Sequence, residues 1–167
     1  LETAGVDVQF NWGLEMAGGL LNVSSVFNYL DYYRDQQTIA DPFVESTGTM
    51  RSGGQFDYRM LNTVNYLRDN WSLGVRHRFL PSIENFAYAN NPNTTVQGAG
   101  SYHMLDTFGS YMMSEKVTLR GGIDNLFDLD PEINGRDPGR TTASSSTSPA
   151  FYDVIGRRYY VAVELSF

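Results

Sequence analysis

The sequence predicts an all-β fold: an antiparallel up-and-down segment of a transmembrane β-barrel, about seven strands, with short periplasmic turns and long extracellular loops. Three observations lead there. The last eleven residues, Arg157 to Phe167, alternate: Tyr159, Val161, Val163, Leu165 and Phe167 share one face, and Arg158, Tyr160, Ala162, Glu164 and Ser166 the other. Period two marks a strand with one apolar and one wet face, and the length matches the ~9–11 residues that a tilted strand needs to cross a bilayer. Second, no apolar run approaches the ~18 residues of a transmembrane helix. Third, the connections run short, long, short, long, short, long. In a meander alternate connections lie at the same end, which reproduces the turn-and-loop asymmetry of outer-membrane barrels.

The elements follow in order. Gly5–Trp12 alternates, with Val6, Val8, Phe10 and Trp12 against Asp7, Gln9 and Asn11. A glycine-containing turn is expected from Gly13 to Gly19. A second strand spans about Leu20–Asp35, with Val23, Phe27 and Tyr29 on one face. A loop with Pro42, Gly48, Gly53 and Gly54 precedes a third strand, about Gln55–Leu67, whose apolar face is interrupted by Asn62. Arg68-Asp69-Asn70 makes a tight turn. The fourth strand, Trp71–Phe79, sets Trp71, Leu73, Val75 and Phe79 against Ser72, Gly74, Arg76 and Arg78. An Asn-rich loop runs from Pro81 to about Gly100. The fifth strand, about Ser101–Met113, carries apolar groups on both faces, so the pattern does not orient it. Ser114-Glu115 turns into the sixth strand, Lys116–Phe127. The longest loop, Asp128 to about Ile155, contains the serine-rich run Ala143–Pro149.

Composition removes several classes. Aromatics make up 14% of the 167 residues, chiefly 11 Tyr and 10 Phe, a supply that the girdles of a barrel would use. Mean hydropathy is −0.33, as expected when each outward apolar residue is cancelled by an inward polar one. There is no cysteine, hence no disulfide or zinc-thiolate site. The net charge of −7 and the single lysine, Lys116, argue against a nucleic-acid partner. The chain starts at Leu1 with no basic start and no apolar core of a signal peptide. An odd strand count would place its termini at opposite ends. Both points read as a piece of a longer barrel, because complete bacterial barrels have even strand numbers.

The run Gly122-Ile123-Asp124-Asn125-Leu126-Phe127-Asp128, with Asp130-Pro131 after it, resembles a stretch near the C-terminus of TonB-dependent outer-membrane receptors. Tyr152-Asp153 and Gly156-Arg157-Arg158-Tyr159-Tyr160, ending at Phe167, are similar to that family's last strand. Thr3–Val8 and Asn70–Leu73 resemble strand starts of the same barrels. The resemblance implies that residues 1–167 are the C-terminal part of a receptor barrel whose plug domain and N-terminal strands are absent. It implies an outer-membrane location in a Gram-negative bacterium and active uptake of a scarce nutrient such as a ferric siderophore, vitamin or glycan. The implied partners are outer-membrane lipid, the plug, the missing strands, the TonB complex and the outer-membrane assembly machinery. No enzymatic activity and no cofactor are implied.

Within that frame Asn125, Leu126, Phe127, Asp128, Gly156, Arg157, Arg158 and Tyr159 are structural family positions. Asp124, Asn125 and Asp128 would cap backbone where the ladder ends, and Phe127 would join a girdle. Tyr159, Val161, Val163, Leu165 and Phe167 would close the barrel and carry the assembly signal. Arg76, Arg78 and Arg120 would face the lumen, because an arginine on the lipid face near mid-bilayer costs about 2–4 kcal/mol. They would contact an anionic ligand or pair with lumenal carboxylates such as Asp7 and Asp124. Tyr88, Asn90, Asn91, Arg136 and Arg140 would offer loop contacts to substrate. His77 and His103 read as ordinary strand residues without a metal-site spacing. Two alternatives remain at this stage: a small eight-stranded outer-membrane barrel with a structural or lipid-modifying role, and a soluble ligand-binding barrel with its apolar face inward.

Overall fold

Alternation carries the chain up and down a single antiparallel sheet in a computed structural model that describes residues 1–50, 55–86, 93, 98–132, 147 and 151–166. Among the described residues ten strands form: β1 (Glu2–Met16), β2 (Gly19–Asp35), β3 (Val44–Glu45), β4 (Tyr58–Arg68), β5 (Trp71–Leu80), β6 (Ile83–Glu84), β7 (Gly98–Ala99), β8 (Tyr102–Ser114), β9 (Val117–Asp124) and β10 (Arg158–Leu165). The long strands lie side by side in the order β1-β2-β4-β5-β8-β9-β10, so the meander is confirmed. β3 adds to the far end of β2, and β6 pairs with β7 in a small separate sheet inside what the sequence reads as one loop. Among the described residues β1 pairs only with β2 among the long strands, and β10 only with β9. The sheet is therefore open.

Several boundaries differ from expectation; β1 starts at Glu2 rather than Gly5 and β4 at Tyr58 rather than Gln55. β1 continues past Trp12 to Met16, because Leu14 and Met16 keep the alternation going, and the turn shrinks to Ala17-Gly18. Both turn residues have positive φ, 51° and 75°, the geometry that matches the twist of a two-residue hairpin. Tyr66 Oη clamps this turn by donating to the Met16 and Ala17 carbonyls at 3.2 and 3.1 Å. β9 stops at Asp124 rather than Phe127, because Asn125 turns into the left-handed region at φ 53°. β10 ends at Leu165, and Phe167 lies outside the described residues.

Residues opposite one another across an antiparallel pair share a face, so the register sorts the whole sheet. One face carries Val8, Phe10 and Trp12 of β1, Val23 and Phe27 of β2, Met60 and Val64 of β4, Leu73 and Val75 of β5, Leu119 and Ile123 of β9, and Val161 and Val163 of β10. The other carries Asp7, Asn28, Arg59, Thr63, Arg76, Arg78, Asp106, Arg120 and Glu164. The apolar face is the open one: Leu73 is 59% and Val161 82% exposed. The core lies on the polar face at the loop end of the sheet. There Tyr102 and Met104 of β8 pack with Phe56, Ile83, Ala99 and Tyr152 from the long connections. This arrangement also orients the fifth predicted strand, with Tyr102, Met104, Asp106 and Phe108 under the loops and Leu105, Thr107 and Tyr111 on the apolar face.

Aromatic rows border the apolar face. Near the turns Tyr66 and Trp71 lie 5.5 Å apart. Toward the loops Phe27, Tyr58 and Phe79 follow one another at 5.9 and 5.7 Å. From Trp71 to Phe79 the strand rises about 27 Å, and a tilt of ~40° leaves roughly 20 Å between the rows, close to the ~25 Å apolar band of an outer-membrane barrel.

Candidate functional site

The polar face under the loops collects the charged groups. Arg78 Nη2 meets Asp106 Oδ2 at 3.0 Å and Oδ1 at 3.2 Å. Asp106 is buried and also accepts from the Asn125 backbone N–H at 2.9 Å. Arg120 pairs with Glu164 across β9 and β10. The expected partners Asp7 and Asp124 are therefore corrected. Asp7 accepts from Asn28 Nδ2 at 2.7 Å, and Asp124 lies 3.5 Å from Arg158 Nε. The reason is register: β8 brings Asp106 beside β5, and β10 brings Glu164 beside β9, whereas Asp7 lies strands away on β1.

Arg76 sits opposite Asp106 in the register, but Asp106 is taken by Arg78; the Arg76 guanidinium lies 5.5 Å over the Phe108 ring instead. Arg59, which sequence reasoning missed, lines a cavity of about 420 Å³ with Asp7, Asn28, Gln55, Phe56 and Phe151. Neither Arg59 nor Arg76 has an ion-pair partner among the described residues. The strand pattern could have found Arg59, since it falls on the polar face between Tyr58 and Met60 of the apolar one. Tyr88, Asn90, Asn91, Arg136 and Arg140 lie outside the described residues.

The two terminal motifs meet. Asn125 is buried, and its side chain closes a loop by donating from Nδ2 to the Leu129 carbonyl at 3.0 Å and accepting from the Leu129 N–H at 2.8 Å. Asp128 Oδ1 accepts from the Arg157 N–H at 2.8 Å, and Arg157 Nη2 lies 3.8 Å from Asp128 Oδ2. Arg158 reaches back to Asp153 at 3.4 Å as well as to Asp124. The Asn-Leu-Phe-Asp and Gly-Arg-Arg-Tyr runs thus form one clasp that gathers the ends of the longest connection. Capping by Asn125 and Asp128 agrees with the sequence reading. Asp124 instead acts through its side-chain pair with Arg158. Phe127 is 72% exposed just beyond the strand end. Next to the clasp, burial pushes the Tyr152 phenol up to about 12, with Glu132 and Tyr102 adding to the rise.

A chain of this architecture matches known proteins. The family model described as "TonB dependent receptor-like, beta-barrel" matches residues 2–126. The ferric enterobactin receptor PirA of Pseudomonas aeruginosa is 34% identical over 80 residues, 47% of this chain and 10% of that protein. The crystal structure of a variant of the ferric enterobactin receptor PfeA of Pseudomonas aeruginosa superposes with a TM-score of 0.66 at 18% identity, over 99% of this chain and 22% of that one. The chain thus spans about a tenth of the first relative and about a fifth of the second.

Proposed function

The chain belongs to the TonB-dependent receptor family, and on that premise we propose that it is the C-terminal wall of an outer-membrane active transporter that takes up a ferric siderophore. Family membership gives a receptor rather than an enzyme. The observation that carries the reading is the division of the sheet into an exposed apolar face between two aromatic rows and a polar face bearing two arginines without an ion-pair partner among the described residues. The apolar face is solvated by lipid, as a barrel wall requires. The polar face lines the lumen, where Arg59 and Arg76 offer two cations to an anionic iron chelate. The relatives named for ferric enterobactin favour the siderophore over a vitamin or glycan. The plug domain and the energy-coupling contact with TonB belong to the parent receptor outside this segment.

The parent receptor tests this directly. Ferric-siderophore binding to the purified receptor is expected to weaken about tenfold with Arg59→Ala and Arg76→Ala combined, the worth of one charge-assisted hydrogen bond. Arg120→Ala, whose guanidinium is held by Glu164, should change binding little. Equal binding by the double variant and the wild type would rule out these two arginines as the ligand contacts.

A further inference from the structure

The apolar face is interrupted along one line. Ser25 on β2, Asn62 on β4, His77 on β5 and His103 on β8 all occupy apolar-face positions on four neighbouring strands. Ser25 Oγ donates to Asn62 Oδ1 at 2.7 Å. Asn62 Nδ2 lies 3.4 Å from His77 Nδ1, and His77 Nε2 lies 3.2 Å from His103 Nδ1. The two imidazoles are stacked at 5.4 Å and 11°, and Phe79 of the loop-side aromatic row lies 4.6 Å from His103. With both rings carrying their proton on Nε2, assigned from the network, every contact has one donor and one acceptor. So assigned, the line carries no net proton, and among the described residues it ends in a donor without an acceptor, His103 Nε2–H.

Polar groups on a lipid-facing surface are costly unless hydrogen-bonded. Each neighbouring pair in this line is hydrogen-bonded, and among the described residues a ring N–H is left over at its His103 end. An uncharged donor fits an ester, amide or hydroxyl oxygen; a phosphate or carboxylate would call for a cation. Toward the turns from His103 the same face is dented. Gly109 and Gly121 sit opposite each other across β8 and β9. With no side chain at either position, a trough of about 600 Å³ lies between Leu73, Tyr111, Leu119, Ile123 and Val161. From His103 to Gly109 the strand rises about 20 Å, within the reach of a fatty acyl chain.

We propose that this face is a binding site for one outer-leaflet membrane lipid, its acyl chain in the Gly109–Gly121 trough and an uncharged oxygen at the top of that chain accepting from His103 Nε2. The orientation follows from the fold: the polar end lies beside the loop-side aromatic row, and the apolar trough runs from there toward the turns. The proposal rests on the reading of the sheet as an outer-membrane barrel wall. It goes beyond that reading by giving the lipid a fixed place.

The test uses the intact receptor that carries this segment, extracted from outer membranes in a mild detergent and examined by native mass spectrometry. One lipid should remain bound per barrel. His77→Phe combined with His103→Phe keeps the stacked rings and removes the polar line. Gly121→Leu fills the trough; its Cβ would meet Val161 Cγ2 at 3.9 Å and the Tyr160 carbonyl oxygen at 3.3 Å. Each change should lower lipid retention at least about fivefold, the worth of roughly one hydrogen bond. If one variant does not fold, by the heat-dependent gel mobility of the barrel, the other decides. Wild-type receptor without bound lipid, retention unaltered by the changes, or a protein that co-purifies in place of lipid and is lost with the histidine pair would each overturn the proposal. A wild-type receptor that never reaches the outer membrane would fail the barrel reading instead.

Discussion

Asn125 shows how one side chain can organise a loop. Its backbone adopts φ 53°, a region that asparagine enters more readily than most residues, its N–H reaches buried Asp106, and its amide makes two bonds to Leu129. In the intact receptor Asn125→Ala should lower unfolding stability by about 1–3 kcal/mol, by stranding the Leu129 groups and straining the backbone. Asn125→Gly should recover only the backbone part. Full rescue by glycine in a denaturant titration would mean that the amide bonds contribute nothing. The residue was legible as part of a motif. Its partners were not, because Asp106 lies on β8 and Arg157, which completes the clasp at Asp128, lies beyond the longest connection.

At the scale of elements, two-residue β3 survives because of Glu45. Burial acts to raise the Glu45 carboxyl, but the backbone N–H groups of Thr47, Tyr33 and Ser46, which donate to its Oε1 at 2.9, 3.1 and 2.9 Å, together with the nearby Thr47 side chain, outweigh it and bring the group from 4.5 down to about 2. A depressed carboxylate adds stability that is fully present above its unfolded value and is lost as pH falls through its folded one. The attachment of β3 to β2 should therefore weaken between pH of about 4.5 and 2. Carboxyl-carbon NMR of Glu45 should give a midpoint near 2; a midpoint in the ordinary glutamate range would show that the bonds do not hold. β8 makes the complementary point. Tyr102 and Met104 on its polar face follow from loops folding back over that end, a fact beyond the reach of local periodicity.

Among the described residues the whole sheet presents two unpaired long edges, β1 and β10, and an exposed apolar face. Open edges template strand addition, and an apolar surface of this extent demands lipid or a partner. The segment expressed alone should aggregate in plain buffer and become dispersible in detergent. A monomer that unfolds cooperatively without detergent, by ultracentrifugation and circular dichroism, would contradict this.

Alternation alone determined the strands, their antiparallel order and the grouping of turns and loops at opposite ends, because side-chain period and connection length are local properties of the chain. The terminal motifs likewise marked the family. Which face is open, which carboxylate takes which arginine, and the meeting of Ser25, Asn62, His77 and His103 depended on register between strands far apart in sequence. A shift of one residue moves every side chain to the opposite face. Asn62 looked like a break in a pattern, and the two histidines like ordinary strand residues. Only the lateral pairing of β2, β4, β5 and β8 made them one line.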